Sequence, residues 1–191
     1  MKEQKLDAKE RILQAAIALL LEHKSTSAVT NRQIAEKAGV NSALINYYYQ
    51  SKENLINKAA ALCIEQMTGT LFENKKANTP EERLRNLVKA ITDFLFDHYE
   101  LGALTIHAEL KTGSLTTVRT LLPILREHYQ NSKTEDVLKL IALQIIAPLQ
   151  VIFLNLHEYR DFLGVDVFEK KERARVLDTV IDNALQCTAQ S

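Results

Sequence analysis

The chain has 191 residues, 46% hydrophobic and 25% charged, with 24 basic side chains balancing 24 acidic ones. Bulk charge therefore does not announce a nucleic-acid partner, and the first 55 residues lean only slightly basic, with 8 Lys and Arg against 6 Asp and Glu. The leading MKEQKLDAKE has no apolar h-region, and Cys63 and Cys187 lie outside any C-x-x-C pair. The first point predicts no secretory signal and a cytoplasmic chain, and the second predicts buried free thiols rather than a zinc or redox motif.

In chain order, Ile12, Ala15, Ala16, Leu19 and Leu20 recur at helical spacing and predict a first helix from Asp7 or Ala8 to about Glu22. Ser25, Thr26 and Ser27 break it. Thr30, followed three residues later by Gln33, forms a capping box for a helix over 31–37. Asn41 and Ser42 offer caps for a third helix over 42–49, and Ser51 for a long fourth over 52–74. Asn78, Thr79, Pro80, Glu81 and Glu82 start a helix to about Tyr99, with Leu84, Leu87, Val88, Ile91, Phe94 and Leu95 on one face. Shorter helices are expected over 101–111, stopped near Gly113, and over 115–129, with Pro123 inside. Thr134 precedes a helix over 135–158 that contains Pro148, Gly164 marks a loop, and Ala174, Leu177, Val180, Ile181, Ala184 and Leu185 line a last helix over 167–186. The result is an all-α chain of about nine helices: a helix-turn-helix domain over residues 1–55 and a helical domain over 56–191.

Residues 30–52, TNRQIAEKAGVNSALINYYYQSK, carry the chemistry. Ile34, Ala35, Ala38 and Val40 give one apolar face, and Leu44, Ile45 and Tyr48 a second. Gly39 between them suits a left-handed helix end, and Ala35 is small where two backbones must approach. Two short helices around such a turn form the architecture that lays its second helix in a DNA major groove. Asn41, Ser42, Ala43 and Asn46 would then face base edges. The Tyr47 and Tyr48 hydroxyls suit phosphate oxygens, although the spacing of Tyr48 from Ile45 equally suits the core. Lys52 at a helix start, and Thr30, Asn31 and Arg32 at another, are further phosphate contacts. Core packing is the alternative reading for Tyr47 and Tyr49 as well.

The N-terminal 55 residues resemble the TetR family of bacterial transcriptional regulators. Arg11, Ile12, Leu13, Gln14, Ala15 and Ala16 are similar to the family's first-helix signature, residues 30–40 to its second helix and turn, and residues 44–55 to its recognition helix and the start of helix four. Many members carry Tyr in place of Asn46, His in place of Tyr48 and Phe in place of Tyr49. Asn46 is thus the departure on which base preference is expected to turn, since Asn pairs bidentately with adenine. The resemblance implies a C-terminal ligand domain and a dimer interface built from the last two helices. Phe94, Tyr99, His107, Ile124 and Phe153, with Phe96, Leu104 and Leu154, are candidate pocket residues, and they serve equally as ordinary core. His107 and Glu109 lie on a helix that, as the resemblance implies, often lines the pocket, so Glu109 is a second candidate for a polar ligand contact.

Residues 137–156 are apolar on nearly every side but hold Lys139, Gln144, Pro148, Gln150 and Asn155, which speaks for a helix buried on most sides rather than a membrane span. A two-fold interface formed by this helix, the last helix and their copies would occupy their spare faces, with Ile145, Leu149, Ile152, Leu177, Ile181 and Leu185 as seam residues. No two of the five histidines have i, i+4 spacing, and no nucleophile elbow, phosphate loop or carboxylate dyad is present, so neither a metal, a cofactor nor an enzyme is expected. The expected function is a homodimeric, nucleoid-associated bacterial repressor that binds a palindromic double-stranded DNA operator and is released by a small-molecule effector. The alternative is a TetR-fold, DNA-linked interaction protein that recruits a protein partner without a ligand.

Overall fold

The computed structural model describes residues 7–23, 26–72, 79–130 and 132–186. Among these residues are ten helices and no strand: α1 (Ala8–Glu22), α2 (Asn31–Ala38), α3 (Ala43–Tyr49), α4 (Lys52–Phe72), α5 (Pro80–Asp97), α6 (Tyr99–Thr112), α7 (Thr116–Tyr129), α8 (Glu135–Leu154), α9 (Leu156–Leu163) and α10 (Lys170–Gln186). They fall into two compact units. One comprises Met1–Gly69 with Asp97–Ala108, the other Thr70–Phe96 with Glu109–Ser191.

In the first unit, α1 starts where the Asp7 side chain accepts the Glu10 N–H at 2.8 Å, which satisfies one of the helix's orphan donors. Ile12, Ala16 and Leu20 are buried on its inner face, against α2 and α3, with Ile34 and Ile45 fully buried. The expected capping box at α2 is present in both halves: Thr30 Oγ1 accepts the Gln33 N–H at 3.2 Å and Gln33 Oε1 accepts the Thr30 N–H at 2.8 Å. Cys63 is buried and unbridged, and burial pushes its thiol up to about 11. Cys187, Asn74 and Asn78 lie outside the described residues.

In the second unit, α5 opens on a second capping box between Thr79 and Glu82, with bonds of 3.2 and 2.9 Å. Ion pairs tie α5 to α10: Arg85 to Asp178 and Asp182, and Lys89 to Asp178 at 2.8 Å. Arg173 of α10, only 7% exposed, donates to Asp93 at 2.7 Å and to the Val167 and Phe168 carbonyls at 2.8 and 3.0 Å. Its guanidinium sits 4.3 Å from the centre of the Phe96 ring. The Phe96 ring in turn meets Phe153 and Phe168 edge to face, at 5.2 and 5.7 Å.

Three expectations need correction. The helix expected over 135–158 stops at Leu154. Asn155 leaves helical geometry at φ −131°, ψ 48°, and its side-chain amide donates to the Val151 carbonyl at 2.8 Å. A separate helix, α9, then begins, which makes ten helices rather than nine. The last helix starts at Lys170 instead of Val167, because Asp166 folds the preceding residues into a turn by accepting the Phe168 N–H at 3.0 Å. Finally, α8 is long and apolar enough to cross a bilayer by length and composition, yet it is not buried on most sides of its own chain. Leu138, Ile141, Ala142, Ile145, Ile146 and Phe153 face inward, while Leu140, Gln144, Ala147 and Val151 are exposed.

Candidate nucleic-acid interface

The turn between α2 and α3 is closed by the main chain. Gly39 takes φ 63°, ψ 43°, a left-handed conformation that a Cβ disfavours. Its N–H turns back to the Ala35 and Glu36 carbonyls, and the Val40 N–H reaches the Ala35 carbonyl at 3.0 Å. Asn41 Oδ1 then accepts the Ala43 N–H at 2.8 Å. Asn41 is thus the cap of α3, whereas Ser42, also expected to cap it, makes no such bond.

Burial sorts the residues of α3. Ile45 and Tyr49 are buried and hold the helix on the unit. Ser42, Ala43, Asn46 and Tyr47 are exposed, Tyr47 at 77%, so a large aromatic side chain stands mostly in solvent. The ring stands beside the exposed polar side chains of Ser42 and Asn46. Tyr48 is half-buried and packs edge to face on Tyr47, with centroids 5.0 Å apart. The ring of Tyr48 thus packs on its neighbour while part of it stays accessible. The exposed strip runs one position further than the sequence reading took it, to Gln50. Its spacing from Asn46 and Tyr47, about one helical turn, is the signal that would have found it.

Charge lies around the strip rather than on it, since α3 carries no ionisable acid or base of its own beyond its tyrosines. Thr30 and Arg32 are exposed and Asn31 half-buried at the start of α2. Arg32 pairs with Glu36 at 2.8 Å while remaining 88% exposed, so the pair is worth little and opens readily. Lys52, half-buried at the first turn of α4, has no ion-pair partner among the described residues. Its helix is capped by Ser51 Oγ, which accepts the Asn54 N–H at 3.1 Å. The arrangement offers neutral donors and acceptors on a helix face flanked by cations, which is the division between base-reading and phosphate-gripping groups that duplex recognition requires.

Residues 12–59 match the family of bacterial regulatory proteins known as the tetR family. The match covers α2, α3 and most of α1, the segment that holds the helix–turn–helix. A curated relative from Bacillus subtilis (strain 168), YttP, described as a probable HTH-type transcriptional regulator, is 28% identical over 130 residues. That stretch is 65% of this chain and 61% of the relative, so the chain aligns with under two thirds of that protein's length. The structure of a TetR transcriptional regulator from Rhodococcus sp. RHA1 superposes with a TM-score of 0.67 at 18% identity, covering 96% of this chain and 98% of the other. Thermus thermophilus FadR, a TetR family repressor in complex with lauroyl-CoA, gives a TM-score of 0.69 at 16% identity, covering 96% of each chain. At these identities the likeness is one of fold.

The remaining candidate residues fall into distinct environments. Phe94, Ile124 and Phe153 belong to the second unit, Tyr99 and His107 to the first. Ile124 and Phe153 are 5% and 3% exposed, in the core. His107 is exposed and donates from Nδ1 to the Ala103 carbonyl of its own helix at 2.7 Å. Glu109 is buried and already occupied: it accepts from the Thr117 N–H and hydroxyl, each at 2.7 Å, and from the Gln150 amide at 3.0 Å. It therefore caps α7 from the end of α6 rather than facing a ligand. Of the expected seam residues, Ile145, Leu177 and Ile181 are at most 2% exposed; their own chain covers them, and they offer no area to a second copy. Leu149, Ile152 and Leu185 keep partial exposure. No group of three or more metal-ligating side chains occurs among the described residues.

Proposed function

We propose that the chain is a TetR-family transcriptional regulator that acts as a homodimeric repressor on a palindromic double-stranded operator. In this reading residues 1–55 form the DNA-reading head, and residues 56–191 bind a small-molecule effector and the second copy. The observation that carries it is the exposed strip of α3, with Tyr47 77% exposed inside a family-matched segment. Asn41, Ser42, Ala43 and Asn46 read base edges, while Tyr47, Tyr48, Lys52 and the start of α2 at Thr30, Asn31 and Arg32 hold phosphates.

Release follows from linkage. An effector that binds one spacing of the two heads more tightly than the other shifts the population toward it, with α4 carrying the displacement; equal affinity shifts nothing. The lauroyl-CoA in Thermus thermophilus FadR supports an effector for this fold. Phe94, Ile124 and Phe153, all of the second unit, remain proposed effector contacts. The outer face of α8 at Leu140, Ala147 and Val151, continued by the half-exposed Leu149, Ile152 and Leu185, is the proposed dimer seam. The protein works in the bacterial cytoplasm on the nucleoid, and no catalytic step belongs to this reading.

Selection of bound duplexes from a random pool by the purified protein tests it. The expected product is a two-fold symmetric site with half-sites about one helical turn or more apart. Enrichment of no sequence, or an unchanged gel shift for Tyr47→Ala on the selected site, would falsify the recognition-helix assignment.

A further inference from the structure

Gln50 joins α3 to α4 and takes φ 67°, ψ −38°. Positive φ is otherwise found, among the described residues, at Gly39, Gly113, Gly164 and Gln130. Gln130, at φ 46°, ψ 43°, sits in the ordinary left-handed well, which non-glycine residues enter at modest strain. Gln50 lies outside that well, where a side chain is costly and where strain that persists points to a role. The junction itself needs only a bend: the Gln50 N–H closes α3 on the Asn46 carbonyl at 2.9 Å, and Ser51 caps α4. Glycine would make that bend without strain. Nor does packing account for the side chain, because Gln50 is exposed and its amide makes no hydrogen bond to the described residues.

What the strain secures is position. The bend holds the carboxamide one turn beyond Asn46 and Tyr47, at the far end of the exposed strip. A recognition helix reads base edges from its N-terminal part, and groups at its other end stand over the sugar–phosphate backbone. We propose that Gln50 is a positioning contact to the operator, its side-chain amide donating to a phosphate oxygen at the edge of each half-site. This rests on the DNA-binding reading above and names a residue that reading does not include.

The test compares Gln50→Gly, Gln50→Glu and Gln50→Lys in the full-length protein, by thermal unfolding and by affinity for the selected duplex and a random duplex. Gln50→Gly should raise Tm by about 2–4 °C as the strain is relieved, yet weaken both duplexes about tenfold alike, because a phosphate carries no sequence information. Gln50→Glu, which keeps the strain and length but has no N–H donor, should leave Tm unchanged and weaken binding at least as much. Gln50→Lys should bind at least as well as the native chain, with a salt dependence steeper by roughly one phosphate charge per half-site. Native-like affinity in both Gln50→Gly and Gln50→Glu would overturn this inference alone. A native chain that binds neither duplex would overturn it together with the DNA-binding reading.

Discussion

The Tyr49 hydroxyl donates to the Lys9 carbonyl at 2.7 Å, fastening the end of α3 to the first turn of α1. Burial, helped by the charges of Glu10 and Asp7, pushes the phenol above its ordinary value, so it stays a donor. The ring packs at 6% exposure, and the bond fixes the angle at which the exposed face of α3 is presented. Tyr49→Phe keeps the ring and removes the bond, and should cost about 1 kcal/mol. Tyr49→Ala removes the packing as well and should cost about 3–5 kcal/mol. Thermal denaturation followed by circular dichroism separates the two, and equal losses would mean that the hydroxyl carries the anchoring.

A second tether joins segments far apart in the chain. Glu100 at the start of α6 accepts from the Thr26 N–H at 2.7 Å and the Thr26 hydroxyl at 3.1 Å, inside the first unit. Because the bonds are exposed, Glu100→Ala should change global stability by less than about 1 kcal/mol. Its effect should be local: faster amide hydrogen exchange in the segment around Thr26, with α1 protected as before. Unchanged exchange there would show that the loop is held by other contacts.

Much of this head was legible in the sequence because its signals are local. The Thr30–Gln33 box, Gly39 and the apolar periodicity of α1 each act within one turn, and each places its helix to within about a residue or two. What escaped depended on contacts distant in sequence or on conformation. Ser42 looked like a cap as good as Asn41, but only Asn41 Oδ1 reaches the Ala43 N–H. Glu109 looked available until Thr117 and Gln150 closed on it. Ile145 and Leu140 are equally apolar letters on one helix, and only packing decides that the first is fully buried and the second 57% exposed. The conformation of Gln50 has no compositional signature, because nothing in the residue type predicts positive φ.

The second unit should unfold more readily in acid. Burial pushes the Asp93 carboxyl up, but hydrogen bonds from Lys170 and Arg173 outweigh it and leave the group below its ordinary 3.8. Asp178 behaves alike: burial raises it, and Lys89 and Arg85 more than compensate. A carboxyl depressed in the folded state contributes stability that is complete above the unfolded value and lost as pH falls through the folded one. These groups should therefore leave Tm flat from pH 7 to 5 and lower it below about pH 4. Asp93→Asn should cost about 2 kcal/mol at pH 7, since the buried Arg173 loses a charged acceptor, and its Tm should fall less steeply in acid. Calorimetry between pH 7 and 2.5 measures both, and parallel acid profiles for variant and native chain would remove Asp93 from the account.

Leu140 and Ile145 make opposite predictions from one helix. Leu140 is 57% exposed and Val151 41%, on the outer face of α8, where a charge costs the isolated chain little, within about 0.5 kcal/mol. If a second copy covers that face, a carboxylate there is buried without a partner, and desolvation forbids it. Leu140→Glu with Val151→Glu should therefore yield a folded 21.7 kDa monomer in sedimentation velocity, where the native chain is expected to sediment as a dimer. Affinity for a two-fold symmetric duplex should fall with it, since each head then binds alone. Ile145→Glu places the same charge at a fully buried position and should unfold the second unit rather than dissociate it. A double variant that remains dimeric would move the seam off this face of α8, and a monomeric native chain at micromolar concentration would remove the seam altogether.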